Sequence, residues 1–100
     1  MQPILRNNLK QLEQICRNHH VVRLHAFGSV CSKNFNNKSD IDLIVAFKHR
    51  YFDGYVDNFL SLEKELVTLF NRPVDIVAEE TIQNPYFIKV VNQTKTPIYD

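Results

Sequence analysis

No apolar stretch in this chain of 100 residues approaches the ~20 residues that a membrane-spanning helix needs. The start Met1-Gln2-Pro3-Ile4 also lacks the pattern of a signal peptide. A soluble, cytoplasmic protein with no membrane partner is the expectation. Cysteine is scarce: Cys16 and Cys31 stand alone, with no spacing that suggests a zinc cluster or a redox pair. An excess of charge is missing too, since the formal net charge is +1 with both signs mixed along the chain. A protein that grips a nucleic-acid backbone carries a basic excess or stripe, because each neutralised phosphate releases counterions. Autonomous nucleic-acid binding is therefore not expected, and Lys48-His49-Arg50 and Arg72 read as solvated surface. Repeats, low-complexity tracts and linkers are absent, so residues 1–100 read as a single domain, of a size to bury one core.

What is present concentrates in the first half. Gly28-Ser29 is followed by ten residues and then Asp40-Ile41-Asp42, which leads directly into Leu43-Ile44-Val45-Ala46-Phe47. Successive side chains of a strand alternate faces, so Asp40 and Asp42 would project on one side, about 6 to 7 Å apart. Two carboxylates at that spacing can share a divalent cation. Mg²⁺ suits them because it takes hard oxygen ligands and completes its shell with waters and substrate phosphates. Gly28 ends an apolar strand at Phe27 and, lacking a Cβ, would let a phosphate approach the backbone. Ser29 adds a hydroxyl and an N–H, and a short helix over Val30 to Phe35 would turn further N–H groups toward the anion.

The rest of the chain reads as alternating helices and strands. Ile4, Leu5, Leu9, Leu12, Ile15 and Cys16 recur at steps of three and four and predict one helix running to about Arg17. Val21 to Phe27 predicts a strand, and so does the run after Asp42. Asp53-Gly54 introduces a second long helix with Tyr55, Phe59, Leu62, Leu66, Leu69 and Phe70 on one side, stopped by Arg72-Pro73. Val74 to Ala78 predicts a third strand, in which Asp75 interrupts an apolar run; set beside the Asp40/Asp42 strand, its natural partner is the same metal. Asn84-Pro85 predicts a helix start, with Phe87, Ile88 and Val91 as its apolar side, and Pro97-Ile98-Tyr99 an edge strand. The expected fold is α/β, a small mixed sheet with packed helices. His19-His20, at a helix end, and the isolated His25 and His49 read as structural or surface residues. The series Tyr51, Phe52, Tyr55, Phe59 reads as core rather than as a base-stacking platform.

Phe27-Gly28-Ser29 and Ser39-Asp40-Ile41-Asp42-Leu43-Ile44-Val45 resemble the signature of the minimal nucleotidyltransferases in the DNA polymerase beta-like superfamily. The third carboxylate of that superfamily has a counterpart in Pro73-Val74-Asp75-Ile76-Val77, and Thr96-Pro97-Ile98-Tyr99 is similar to its short terminal strand. One departure stands out: Val30-Cys31-Ser32 replaces the small residue, arginine and glycine that often follow Gly-Ser. Ser32 takes the arginine position, which leaves Lys33 or Lys38 to supply positive charge without an arginine's bidentate fork.

The resemblance implies transfer of a nucleoside monophosphate, AMP from ATP, to a hydroxyl with release of pyrophosphate. Asp40, Asp42 and Asp75 would be the catalytic and metal-holding residues for two Mg²⁺ ions, and Gly28, Ser29 and Lys33 would bind the triphosphate. Larger members carry added acceptor-binding domains. The similarity to minimal nucleotidyltransferase (MNT) antitoxins, which act with HEPN-domain toxins, implies a partner protein as acceptor. Two further classes stay open at this point: an inactive nucleotidyltransferase fold that neutralises a partner by contact alone, and a small-molecule enzyme of the antibiotic nucleotidyltransferase type.

Overall fold

The structure is a computed structural model describing residues 1–49 and 52–100. Its elements are α1 (Pro3–Arg6), α2 (Leu9–Asn18), β1 (Val21–Phe27), β2 (Ile41–Phe47), α3 (Tyr55–Phe70), β3 (Val74–Ala78), α4 (Pro85–Thr94) and β4 (Thr96–Tyr99), with single 3-10 turns at Gly28–Cys31 and Glu79–Thr81. The sheet has the order β3-β2-β1-β4. β1 runs antiparallel to both β2 and β4, whereas β2 and β3 are parallel. A parallel neighbour requires a crossover long enough to return the chain to the same end of the sheet; α3 is that crossover. The mixed α/β architecture expected from the sequence is present.

β2 is central and buried on both faces, which is why its sequence reads as an unbroken apolar run. Ile41, Leu43, Val45 and Phe47 join the main core with Leu12 and Cys16 of α2 and Leu62 and Leu66 of α3. Ile44 points the other way and forms a smaller core with Phe27 and Val91, against which Val77, Ile82 and Phe87 pack. Desolvation in the main core pushes the Cys16 thiol up to about 12, so it is an inert filler of the helix face. Phe47 contacts Tyr55 and Phe59 edge-on or tilted, at centroid distances of 5.4 and 6.3 Å, so these aromatics are core as expected. Arg50 and Tyr51, the other members of the sequence runs 48–50 and 51–59, lie outside the described residues.

The first helix is interrupted where the sequence predicts continuity. Asn8 lies outside helical geometry at φ −118° and ψ 15°, and its side-chain amide donates to the Ile4 carbonyl at 2.7 Å. An asparagine side chain that competes for a backbone acceptor offers the chain an alternative to the next helical turn. The break rotates Leu9 off the apolar stripe, leaving it 36% exposed. α3 and α4 begin and end near the expected punctuation. Asn71, in left-handed geometry at φ 54°, closes α3, and the Asn84 side-chain oxygen accepts from the N–H groups of Tyr86 and Phe87 at 2.9 and 3.4 Å. Ile88, expected on the apolar side of α4, is 39% exposed instead.

His19 ties α2 to α3. It is buried; Nδ1 donates to the Ile15 carbonyl at 2.7 Å, while Nε2 lies 3.0 Å from the Ser61 hydroxyl and 2.9 Å from a Glu65 carboxylate oxygen. The structural role expected for this histidine is the one it has. Among the described residues no helix is long and apolar enough to cross a membrane.

Candidate active site

Strand directions bring three separate sequence segments to one end of the sheet. Because β1 is antiparallel to β2, its last residues meet the first residues of β2; because β3 is parallel to β2, the two starts coincide. Phe27 is thus the cross-strand partner of Asp42, and Asp42 the partner of Asp75. Adjacent strands lie about 4.8 Å apart, so Asp42 and Asp75 sit side by side on the face that also carries Ile44 and Val77. Asp40 stands one residue before β2 begins and is exposed.

Gly28 has φ +73°, and a Cβ built there would lie 2.7 Å from Asp42 Oδ2. A side chain there would be strained by the left-handed backbone, and its Cβ would push the Asp42 carboxylate aside. Its N–H already donates to the Thr94 hydroxyl at 3.3 Å, which in turn donates to the Val90 carbonyl. The glycine therefore matters at this site through the space it leaves rather than through its donor.

The turn after Gly28 differs from expectation. One 3-10 turn spans Gly28–Cys31 and ends at an extended Ser32; no helix covers Val30 to Phe35. The buried Val30 anchors the turn, while Ser32 closes it by donating both its N–H and its hydroxyl to the Ser29 carbonyl, at 2.9 and 3.0 Å. Ser32, at the superfamily's arginine position, is thus a local brace. Ser29 Oγ lies 3.5 Å from the Asp40 carbonyl, a weak contact that leaves the hydroxyl able to rotate toward a ligand. Lys33 is exposed and borders a cavity of about 380 Å³ together with Met1, Gln2 and Leu5. It does not neutralise Asp42, whose electrostatic neighbours act in one direction only.

The Asp42 carboxyl is held above the usual carboxylate range, first by burial and then by the charges of Asp75 and Asp40. Among the described residues the ion pairs lie elsewhere, at Glu13, Glu65, Glu79 and Asp100. Nor are any three or more His, Cys, Asp or Glu side chains of the described residues drawn together closely enough to hold a metal ion. The site is a repelling set of carboxylates, with Asp42 and Asp75 aligned and Asp40 at the rim.

Arg72 is a residue whose importance the sequence does not reveal. Its guanidinium donates to the carbonyls of Asn36 and Ser39 at 3.1 and 3.0 Å and lies 4.6 Å from the centre of the Phe35 ring. The Ile41 N–H donates to the Pro73 carbonyl at 3.1 Å. Together these bonds hold the segment that delivers Asp40. In the sequence, Arg72 is one more exposed-looking cation beside a proline, and Thr94 one more helical threonine.

Residues 10–100 match the family described as Polymerase beta, Nucleotidyltransferase. The chain belongs to this nucleotidyltransferase family. The nucleotidyltransferase is 33% identical over 90 residues to the Methanocaldococcus jannaschii protein named "Putative protein adenylyltransferase MJ0128", covering 90% of this chain and 86% of that one. A second protein of that organism, similarly named and numbered MJ1379, is 26% identical over 93 residues, with 85% and 92% covered. Among solved structures, one described as a "putative minimal nucleotidyltransferase" superposes with a TM-score of 0.75 at 30% identity, covering 93% of this chain and 91% of that chain. A chain from the complex of a tri-AMPylated Shewanella oneidensis HEPN toxin with MNT antitoxin shares the fold, with a TM-score of 0.66 at 15% identity over 95% and 71% of the two chains.

Proposed function

We propose that this nucleotidyltransferase moves AMP from ATP to a hydroxyl of a partner protein in a Mg²⁺-dependent reaction, as the antitoxin of a HEPN/MNT pair. The observation that carries the reading is the cross-strand register of Asp42 and Asp75 beside Gly28. The relatives' names support protein as the acceptor class. The HEPN–MNT complex among the fold neighbours supports the kind of partner, and another neighbour, a toxin-antitoxin structure with AMP-PNP (TM-score 0.72, 17% identity), supports an adenine nucleotide.

The carboxylates suit a divalent cation by their charge and hard oxygen donors, and a bound ion would have to draw Asp40, Asp42 and Asp75 closer together than they stand. Burial and mutual repulsion oppose ionisation of Asp42, and this is relieved when a cation shares the carboxylates. Asp40, Asp42 and Asp75 would hold Mg²⁺. When bound, such ions neutralise charge on the transferring phosphoryl group and lower the pKa of the attacking hydroxyl. Gly28 leaves room for the Asp42 carboxylate beside the turn, and the Ser29 N–H and hydroxyl bind the terminal phosphates of the triphosphate. The acceptor oxygen bonds to the α-phosphorus as the link to the β-phosphate breaks; pyrophosphate leaves, and Asp75 takes the hydroxyl proton. Positioning and charge stabilisation supply the rate, with no protein nucleophile.

Co-expression with a HEPN-domain protein encoded beside the gene, followed by intact mass spectrometry, tests this. Added AMP is expected with the native chain and none with Asp40→Asn, Asp42→Asn combined. Ser32 at the arginine position favours a second reading, inhibition by contact alone. That reading wins if the partner stays unmodified yet is inhibited equally by both versions.

A further inference from the structure

Gly28 and Ser29 flank Asp42 on the β1 side, while Asp75 lies on its other side, on an outer strand of the sheet. Among the described residues β3 pairs with β2 along one edge only. Along that strand runs a groove of about 400 Å³ lined by Val56, Phe59, Leu60, Ile76, Val77 and Thr81. Val56 is 66% exposed and Leu60 55%, on the outward side of a helix whose inner side is already committed to the core. An open strand edge beside apolar surface is a template for another chain, because its backbone donors and acceptors are aligned for pairing.

The charge around this edge is one-sided, despite the overall balance. Residues 53–81 hold seven of the 11 acidic side chains and two of the 12 basic ones; of the seven, Glu65 and Glu79 are turned to His19 and Arg23, which leaves five. Of the two basic ones, Arg72 is turned onto the Asn36 and Ser39 carbonyls. Asp57 follows the groove residue Val56 on α3, Glu80 precedes the groove residue Thr81, and Asp53 lies in the turn that opens α3. An occupant must therefore offer apolar side chains to the groove and positive charge at its flanks.

We propose that the open edge of β3 and the α3–β3 groove seat an extended, apolar-and-basic segment of the acceptor protein, added to the sheet as a fifth strand. This deepens the proposed function and rests on it for the identity of the occupant. Asp75 is three residues from Ala78 on the same strand, about 10 Å at strand rise, so a segment paired along β3 passes directly beside Asp75. A hydroxyl side chain on it enters from the side opposite the triphosphate. The acidic rim selects basic segments and excludes acidic ones by repulsion.

Two fluorescent peptides serve as probes, Lys-Val-Lys-Val-Tyr-Val-Lys-Val and its counterpart with Glu for each Lys, titrated without nucleotide or metal. The lysine peptide is expected to bind at least tenfold more tightly than the glutamate one. It should also slow amide exchange of residues 74–78 and lose at least tenfold affinity to Leu60→Arg, but not to Leu9→Arg on α2. Asp57→Lys with Glu80→Lys, which leaves the apolar groove intact, should weaken it similarly. Equal binding of both peptides, protection outside β3 and α3, or unchanged affinity in these variants overturns the docking edge. So does sedimentation showing that the protein alone is a dimer dispersed by Leu60→Arg, since the occupant is then a second copy. AMP transfer plays no part in these readouts: a protein that seats the lysine peptide on β3 yet transfers nothing supports the edge and sinks the functional reading.

Discussion

Asp42 is strained electrostatically by its own site, and this gives it a pH signature. Its carboxyl is raised by burial, Asp75 and Asp40. At a pH below the ordinary carboxylate value both folded and unfolded chains hold the proton, and the group costs nothing. As pH rises through the raised folded value, the folded chain must ionise a carboxyl that resists it, and stability falls. Asp42→Asn is therefore expected to melt at or above the native temperature at pH 7, with the gap closing below about pH 3.5. Saturating Mg²⁺ should raise the native melting temperature and leave the variant unmoved. A variant that melts lower at neutral pH would make Asp42 a structural residue. Gly28→Ala meets both a left-handed backbone and a 2.7 Å contact with Asp42. A destabilisation of about 1 to 3 kcal/mol is expected in urea unfolding, larger than for an ordinary turn position. Ser29→Ala should leave unfolding unchanged and lower affinity for AMP-PNP with Mg²⁺ by about 1.5 to 3 kcal/mol, one hydrogen bond to a charged group; calorimetric titration reads it directly.

At the scale of elements, the segment between β1 and β2 is held by a residue remote in sequence. Arg72 satisfies two of its carbonyls and covers Phe35, so Arg72→Ala should free residues 33–39 while the sheet persists. Limited proteolysis is expected to cut there several-fold faster, with the melting temperature lowered by only a few degrees, in line with a loss of about 1 to 3 kcal/mol. Arg72→Lys should restore little, since a single ammonium cannot reproduce the planar fork and the contact with a ring. Cleavage at the native rate in Arg72→Ala would show that the segment is held by other contacts. The break between α1 and α2 at Asn8 belongs to the same scale: one side-chain hydrogen bond to Ile4 divides what the apolar period alone would join.

Across the whole molecule, the sheet separates two cores of unequal size. The larger draws on α2, α3 and every strand, whereas the smaller rests on Phe27, Ile44 and Val91, with Phe87 set edge-on to Phe27 at 5.7 Å. α4 contributes a single buried residue. Local opening follows buried apolar contact, so native-state hydrogen exchange is expected to release α4 before α3 or β2. Because Thr94 accepts from the Gly28 N–H, nucleotide bound at the turn should slow α4 exchange as well. Simultaneous exchange of α4 and β2 would mean that the two cores open as one unit.

The sequence by itself determined the strands, the long helix and the candidate residues, because each rests on local rules: period-two and three-to-four apolar spacing, a glycine or asparagine where φ turns positive, an asparagine cap before proline. Val21–Phe27 and Val74–Ala78 have the boundaries that their residues predict, and Gly28, Asp42 and Asp75 are brought to one end of the sheet. Only the tertiary structure decided the rest. Which side of Asp42 faces the turn and which the open edge follows from strand order, a non-local quantity. The same holds for the grip of Arg72 on residues 36 and 39 and for the bridge from His19 to α3. Local chemistry is written residue by residue, but partners distant along the chain meet only when the sheet sets their register.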